Sequence, residues 1–297
     1  MSDRHPSLTE SAAEKLVGQL MASGYVEDAA PAPTGLSTAE MRRYARNHAF
    51  FRRVDLRAGA SAWGAQERLR DAGVVVLGMG GTGSHVAWAL AAAGVGRLHC
   101  VDPDIVEVSN LTRQALYTES DIGRPKVETA AEALVAVNSG TTVTYEQRMV
   151  DTEEGLTALV CGFDVLALCA DEPRRDGINR MTSRACAAAD VPWACAGYNG
   201  PLITVGVYGP QGPCFECVGA GEEARVKEGP IPHLGGPGVI APSAGIAGHL
   251  LAYEIISLLT GVGRRPPGYV RGLNLIAPDQ LVHVRHPALA GCQVCNA

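Results

Sequence analysis

A glycine-rich loop between an apolar run and an alanine-rich stretch constrains this chain more than any other feature. The loop reads Gly78-Met-Gly80-Gly81-Thr-Gly83, after the β-branched run 74–77 and before the helical stretch 85–93. Glycines in this context let backbone N–H groups approach a phosphate at the start of a helix. Asp102 ends the next apolar run, 19 residues after Gly83, where a carboxylate can accept hydrogen bonds from a ribose. The combination predicts nucleotide binding, the alternative being a turn that serves packing alone.

Short β-branched runs alternate with alanine-rich helical stretches downstream of residue 73. Such alternation is typical of a parallel sheet with helices on both faces. We therefore predict an α/β fold with a Rossmann-like, doubly wound, mainly parallel sheet. The predicted strands are 97–101 and 165–170, with further strands at 203–208 and 281–284. The predicted helices are 126–138 and 179–189, with a long helix at 249–260.

The first 41 residues differ in composition from the rest. Residues 8–22 have the pattern of an amphipathic helix, residues 31–35 resemble a linker, and Ser37-Thr-Ala-Glu40 has the form of a helix capping box. We predict a small helical N-terminal segment at 1–41 and a single domain at 42–297.

Composition excludes several classes of protein. With 46% hydrophobic and 19% charged residues in 297, the chain is of the globular, core-forming kind. The apolar runs 74–77 and 165–170 are far shorter than the roughly 20 residues of a membrane span, and the N-terminus lacks an apolar signal region. A net charge of −6 without a basic stripe argues against nucleic acid as a partner. We expect a cytoplasmic protein that binds neither membrane nor nucleic acid.

An unusually polar segment follows the second predicted strand. Its cations and amide suit a triphosphate better than a nicotinamide, because they can offset phosphate charge and stabilise departing pyrophosphate. A solvated charged surface is the alternative. Asp171 follows the run 165–170, at the strand end where ligands bind in open sheets, and is a candidate Mg²⁺ ligand or a helix N-cap. The segment contains Asp104, Asn110, Arg113, Gln114 and Lys126.

The nine cysteines divide into two groups. Five stand singly in apolar stretches, where we expect them in the core: Cys100, Cys161, Cys169, Cys186 and Cys195. The other four form two Cys-x-x-Cys pairs, Cys214/Cys217 and Cys292/Cys295. Four thiolates match a closed, structural Zn²⁺ site, with redox disulfides as the minor alternative.

The ordered motifs resemble those of the ThiF/MoeB family of ATP-dependent activating enzymes, which is related to ubiquitin-activating enzymes. The resemblance covers about residue 42 to the C-terminus, and it also implies zinc at the four cysteines. It implies that a C-terminal carboxylate attacks the α-phosphate of ATP to give an acyl adenylate and pyrophosphate. It further implies that Asp102 holds the ribose, that Asp171 holds Mg²⁺, and that the phosphates are bound by Asn110, Arg113 and Lys126. The motifs are residues 78–83, 102–104, 109–114, 122–126 and 170–171.

Residues 43–51 resemble the family's arginine motif, in which an arginine reaches the ATP of the other protomer. The resemblance assigns that role to Arg46, with Arg52, Arg53 and Arg57 as neighbouring alternatives. It also implies a homodimer whose active site needs both protomers.

Within the family, the chain is most similar to the adenylating enzymes of microcin-type peptide antibiotic biosynthesis. Phe50-Phe51, residues 109–114 and Ala196-Gly-Tyr-Asn199 carry this likeness. Those enzymes have an N-terminal winged-helix peptide clamp, whereas only about 40 residues precede the domain here, and residues 8–27 resemble at most its helical part.

Cysteine is absent from the sequence between Cys217 and Cys292. Family members that form thioesters or persulfides carry a nucleophilic cysteine in this region, so we expect the adenylate to react with a separate nucleophile or with the substrate itself. The glycine- and proline-rich segment 228–238 is either a mobile loop over the substrate tail or a structural loop.

Four functions remain open at this point. Adenylation of a peptide or ubiquitin-like C-terminus is the leading hypothesis, the peptide being favoured. Activation of a sulfur-carrier protein is the alternative within the family, and a sulfurtransferase domain, which we do not find in the sequence, would favour it. An NAD-dependent oxidoreductase would use the glycine loop but leaves Arg113, Lys126 and the zinc site without a role. A non-catalytic peptide-binding scaffold is disfavoured by the intact nucleotide residues.

Overall fold

The computed structural model describes residues 9–23, 25–26, 35–55, 62–171, 175–210, 212–224, 238–263 and 265–295. Ten helices and eight strands occur in these ranges. The helices are α1 (Glu10–Ala22), α2 (Thr38–Arg43), α3 (Ala45–Val54), α4 (Ala62–Asp71), α5 (Gly81–Ala93), α6 (Lys126–Val137), α7 (Glu153–Val160), α8 (Arg175–Ala188), α9 (Phe215–Glu223) and α10 (Ala241–Thr260). The strands are β1 (Gly73–Leu77), β2 (Arg97–Val101), β3 (Thr142–Glu146), β4 (Val165–Leu168), β5 (Trp193–Asn199), β6 (Leu202–Tyr208), β7 (Tyr269–Asn274) and β8 (Ala277–Arg285).

All eight strands belong to one sheet, in the order β3-β2-β1-β4-β5-β6-β7-β8. The first five in that order pair in parallel, and β6, β7 and β8 continue the sheet antiparallel. The predicted mainly parallel, doubly wound sheet is confirmed. The strand order reverses between β1 and β4, which creates the crevice where ligands bind in open α/β sheets.

Side-chain alternation along β1 divides the interior into two cores. Val74 and Val76 join the core that contains the apolar faces of α5 and α10, whereas Val75 and Leu77 join the core that contains those of α7 and α8. Both faces of β1 are buried, so its sequence is uniformly apolar. The ends of β1 are thereby fixed, and the glycine loop that follows it starts from a rigid position.

Helix α10 is a longer apolar span than those noted in the sequence. By length and composition it could cross a membrane, but 56% of its apolar window is buried inside the protein. It packs against α5, β5 and β6, and its buried Glu254 accepts a hydrogen bond from the Tyr269 hydroxyl at 2.7 Å. We therefore interpret α10 as a core helix whose outer face is also apolar.

The N-terminal helices form as the sequence predicts. The capping box is present, since Ser37 Oγ accepts from the Glu40 N–H and the Glu40 carboxylate accepts from the Ser37 N–H. Helix α1 buries no residue. Of the single cysteines, Cys100 and Cys186 are buried, whereas Cys161 is exposed at the end of α7, contrary to our expectation for the core.

Candidate active site

The glycine loop turns from β1 into α5 with no room for side chains at two positions. Gly78 has a φ of 95°, and a Cβ at Gly83 would overlap the carbonyl oxygen of Gly78. Gly80 is the N-cap of α5 and lacks a side-chain capping bond. The first N–H groups of α5, which we call the glycine cradle, therefore have no side-chain cap from Gly80, and N–H groups at a helix N-terminus are the geometry that binds phosphate.

Asp102 ties the end of β2 to this loop. Its Oδ2 accepts from the Met79 N–H at 2.6 Å and its Oδ1 from the Asp104 N–H at 2.8 Å. Burial raises the pKa of the Asp102 carboxyl, and the bond from Met79 opposes that rise. Each oxygen keeps a second lone pair for a ligand hydroxyl.

Lys126 and Asp104 form an ion pair beside Asp102. Lys126 Nζ lies 2.7 Å from Asp104 Oδ2, and the lysine side chain is only 7% exposed while the aspartate is 61% exposed. The pair borders an open pocket of about 340 Å³. The pocket is lined by Pro103, Asp104, Ile105, Glu107, Asn110 and Lys126.

The polar segment after β2 folds into a short 3₁₀ turn, Val108–Thr112, against the loop. Buried Asn110 accepts from the Glu107 N–H at 3.0 Å, and Arg113 Nη1 donates to the Ser109 carbonyl at 3.0 Å. Gln114 is buried, its Nε2 would lie 3.8 Å from a Cβ at Gly80, and its Oε1 has no hydrogen-bond partner in the described part of the chain. An unpartnered buried acceptor beside the cradle is compatible with a bound ligand.

Asp171 lies on the other side of the crevice, after β4, with an exposed side chain. Burial raises the pKa of Tyr198 in β5, the nearby Arg113 opposes that rise, and the charge of Asp171 adds to it. The predicted residues of the loop, the polar segment and Asp171 therefore lie near one another at the carboxyl ends of β1, β2 and β4. Tyr198 is a site residue to which the sequence analysis gave no role. Its place in the segment Ala196-Gly-Tyr-Asn199, which carries the likeness to the microcin-type enzymes, was the signal that could have found it.

Arg46 lies apart from these residues in its own chain. It is exposed on α3, next to Asn47, whose Nδ2 donates to the carbonyl of Ala93 at the last turn of α5. The glycine loop is at the first turn of α5, about 18 Å away along a 13-residue helix. Arg52 and Arg53 are also on α3, and Arg57 lies outside the described residues.

The four predicted zinc ligands come together where the start of α9 meets the C-terminal segment. Their sulfur atoms lie within 4.8 Å of one another, with Cys214–Cys217 and Cys214–Cys292 at 3.7 Å and Cys217–Cys295 at 3.6 Å. Sulfurs bound tetrahedrally at a Zn–S length of ~2.3 Å would be ~3.8 Å apart. The Leu289 N–H also donates to Cys217 Sγ at 3.3 Å, a bond that suits a thiolate ligand. The donor set fits Zn²⁺.

Three comparisons with known proteins agree with this geometry. The ThiF family matches residues 44–294. The molybdopterin-synthase adenylyltransferase of Salmonella typhimurium is 33% identical over 268 residues, covering 88% of this chain and 98% of the relative. The sulfur carrier protein ThiS adenylyltransferase of Escherichia coli is 35% identical over 238 residues, covering 78% and 88% of the two chains.

A solved structure gives the third comparison. Escherichia coli MccB with ATP has a TM-score of 0.78 and 25% identity, over 97% of this chain and 82% of that one. MccB was also solved with AMPCPP and MccA. These relatives are adenylyltransferases, which disfavours the oxidoreductase and scaffold alternatives and means that ATP is needed. By the family match, the curated relatives and the shared fold, this chain belongs to the ThiF family of adenylyltransferases.

Proposed function

We propose that this protein adenylates the C-terminal carboxylate of a peptide, with release of pyrophosphate. The observation that supports it best is the grouping of polar residues at the carboxyl edge of the sheet, where the strand order reverses between β1 and β4. On one side lie the glycine cradle and the cations Arg113 and Lys126, and on the other lies the exposed carboxylate of Asp171. A triphosphate needs both positive charge and a metal-binding carboxylate, whereas a nicotinamide dinucleotide needs neither.

Each residue has a role that its surroundings allow. Asp102, with a free lone pair on each oxygen, accepts from the ribose hydroxyls. Asn110 and Gln114 bind polar atoms of the nucleotide from the buried side of the segment after β2. Buried Lys126 and half-buried Arg113 compensate the phosphate charge from fixed positions, which is the preorganised arrangement that stabilises developing charge.

Asp171 would hold Mg²⁺ together with phosphate oxygens, since Mg²⁺ is usually bound by one or two carboxylates and the substrate phosphates. The metal supplies charge neutralisation of the triphosphate. At the sequence level no cysteine lies between Cys217 and Cys292, so the chain offers no thiol there to take up the acyl group. The acyl adenylate is therefore released to a separate nucleophile or attacked by the substrate itself.

The similarity to MccB supports the peptide substrate, because MccB was solved with MccA and matches 97% of this chain. The curated relatives support the second candidate, activation of a sulfur-carrier protein, since the ThiS adenylyltransferase is 35% identical. The two candidates differ in the size of the molecule that carries the carboxylate. We further propose that the protein works in the cytoplasm, where reducing conditions keep zinc-binding thiols reduced.

The test is ATP–pyrophosphate exchange with a set of peptides and, in parallel, with small ubiquitin-like carrier proteins, the product being identified by intact mass. Exchange that depends on a peptide and yields a peptidyl adenylate is the expected result. Exchange that depends only on the carrier proteins would favour the second candidate. Exchange with neither group, in a protein that binds ATP, would contradict the proposed function.

We also propose that two copies of the chain complete each active site. Arg46 lies at the end of α5 opposite the glycine loop, too far to reach the loop of its own chain. If the α5 helices of two copies run antiparallel about a two-fold axis, the Arg46 end of one copy lies beside the glycine loop of the other. The guanidinium would then bind the partner copy's phosphates.

An exposed apolar surface on α5 and α10 is suited to this contact. Trp88 is 42% exposed and Tyr253 is 39% exposed, and exposed His249 contacts the Trp88 ring edge-on with centroids 5.8 Å apart. Large exposed aromatic side chains next to an apolar helix face are typical of protein interfaces. The surface includes α5 itself, which is the helix that the two-fold arrangement would pair.

A further inference from the structure

Tyr198 and Asp171 both lie at the carboxyl edge of the sheet. Leu168, the last residue of β4, pairs with Cys195 of β5; Asp171 and Tyr198 each follow three residues later, and the charge of Asp171 adds to the rise that burial causes in the pKa of Tyr198. Side chains alternate along β5, and Ala194 joins the core that contains α5 and α10. Tyr198 has the same parity as Ala194 and therefore projects toward the start of α5.

The hydroxyl of Tyr198 reaches the nucleotide cradle. Its Oη lies 3.4 Å from where a Cβ at Gly81 would be, and Arg113 Cγ lies 3.5 Å from that same point. The hydroxyl and the Arg113 side chain therefore lie next to each other at the first residue of α5. Arg113 donates to the Ser109 carbonyl, which holds its guanidinium on the side of the 3₁₀ turn.

The chemistry of Arg113 determines what the neighbouring hydroxyl can still do. A guanidinium has only donors, so towards Arg113 the Tyr198 oxygen can act only as an acceptor. The phenolic proton then remains available, and no acceptor for it occurs among the described residues. Burial raises the pKa of Tyr198, so the phenol stays protonated at neutral pH.

We propose that Tyr198 is a further phosphate-binding residue, which orients Arg113 and donates its own hydroxyl proton to a non-bridging oxygen of the α-phosphate. This inference rests on the proposed function. The α-phosphate is attached directly to the ribose, so a ribose held by Asp102 at the end of β2 leaves this phosphate nearest the loop after the adjacent strand β1.

The hydrogen bond would act during adenylate formation. A carboxylate oxygen of the substrate forms a bond to the α-phosphorus, the bond from that phosphorus to the oxygen bridging to the β-phosphate breaks, and its electron pair leaves with pyrophosphate. Tyr198 keeps its proton throughout and stabilises the charge on the non-bridging oxygen.

The test compares AMP and adenosine binding by calorimetry in wild type, Tyr198→Phe and the control Tyr145→Phe. Tyr145 is 47% exposed on the edge strand β3, which β2 and β1 separate from the position between β1 and β4. Loss of a hydrogen bond to a charged phosphate should weaken AMP binding about tenfold or more in Tyr198→Phe, with adenosine binding unchanged. The control should bind both ligands like wild type. In addition, the loss of AMP affinity in the double variant Arg113→Ala/Tyr198→Phe should be smaller than the product of the losses in the two single variants, because the two side chains act together.

Two results would overturn the proposal. Unchanged AMP affinity in Tyr198→Phe would show that the hydroxyl does not bind the phosphate, and an equal loss for AMP and adenosine would assign Tyr198 a packing role only. Neither readout involves an acyl substrate. Failure of pyrophosphate exchange with peptides and carriers would therefore count against the proposed function and leave the assignment of Tyr198 to be decided by AMP binding.

Discussion

The ammonium of Lys126 and the carboxylate of Asp104 lie 2.7 Å apart, the lysine almost fully buried and the aspartate mostly exposed. This asymmetry means that the two partners depend on the pair to different degrees. A carboxylate that loses its partner here can be hydrated by solvent, whereas a buried ammonium that loses its partner remains without compensation.

Substitution of Lys126 should therefore affect the protein differently from substitution of Asp104. Lys126→Met retains the apolar stem, so we expect a melting temperature close to that of wild type and a loss of pyrophosphate exchange of about a hundredfold or more. Asp104→Ala should lower the free energy of unfolding by about 1–3 kcal/mol, measured by urea denaturation. If Lys126→Met were fully active, Lys126 would have only a structural role.

Asp171 and Arg46 provide a test of a site built from two copies. Asp171→Ala and Arg46→Ala should each abolish exchange of pyrophosphate. Mixing the two inactive variants should restore about a quarter of the activity if subunits exchange at random. Half of the dimers are then mixed, and each mixed dimer has one intact site of its two. Exchange of radiolabelled pyrophosphate into ATP measures both effects. Asp279→Ala, at an exposed carboxylate on β8, is the matched control and should be fully active.

Absence of recovery, after subunit exchange has been verified with tagged chains, would mean that Arg46 acts within its own chain or has no role. Full activity of Asp171→Ala would contradict its assignment as the Mg²⁺ ligand.

Trp88 should be necessary for dimer formation. A charged residue in a buried apolar interface is unfavourable, so Trp88→Glu should shift the protein to a monomer and remove exchange activity together. Light scattering coupled to size-exclusion chromatography gives the mass. Tyr145→Glu replaces a comparably exposed aromatic residue outside the surface on α5 and α10 and should leave the mass unchanged. A Trp88→Glu protein with the wild-type mass would contradict the assigned surface.

The sequence predicted those parts of the fold whose burial is uniform. The predicted runs that correspond to β1 and β4 are apolar because both faces of these strands are covered, and β2 is buried except at Arg97. The edge strand β3 was missed because its residues are mostly exposed and polar, and β5 was missed because its small residues, Ala194 to Gly197, give no clear period.

The candidate site was predictable where one motif follows one strand, as for the glycine loop, Asp102 and Asp171. Contacts that depend on the register of neighbouring strands were not. The approach of Tyr198 to Gly81 requires β4 and β5 to pair as they do, and the bond between Lys126 and Asp104 brings together residues 22 positions apart. The exposure of Cys161 likewise depends on where α7 ends, which the local composition does not determine.

Stability should decrease as the pH falls below about 6.5. Burial lowers the pKa of His85, with the nearby His249 as a further cause, and burial also lowers the pKa of His99. A histidine whose pKa is lower in the folded state takes up its proton first in the unfolded chain. Its contribution to the free energy of unfolding is therefore complete above the pKa of the unfolded chain, and it is lost as the pH falls through the pKa of the folded chain. Unfolding by urea at pH 7, 6 and 5 should show the decrease.

His85→Gln should reduce the pH dependence, whereas substitution of the exposed His283 should not. An unchanged slope in His85→Gln would mean that other groups cause the loss of stability.

The zinc site should be required for folding and dispensable for nucleotide binding. If all four sulfurs bind the ion, Cys292→Ser or Cys295→Ser should lower metal content and melting temperature together, because the free energy of metal binding contributes to folding in such sites. Cys161→Ser, at an exposed cysteine outside the cluster, is the matched control and should keep the metal content and the melting temperature of wild type.

Since the glycine loop and Lys126 lie on other elements, a folded, zinc-depleted sample kept well below its melting temperature should bind ATP with near-normal affinity in calorimetry. Loss of ATP affinity in a sample that circular dichroism shows to be folded would mean that zinc shapes the nucleotide site directly. A wild-type protein that contains less than about one zinc per chain would contradict the four-cysteine site.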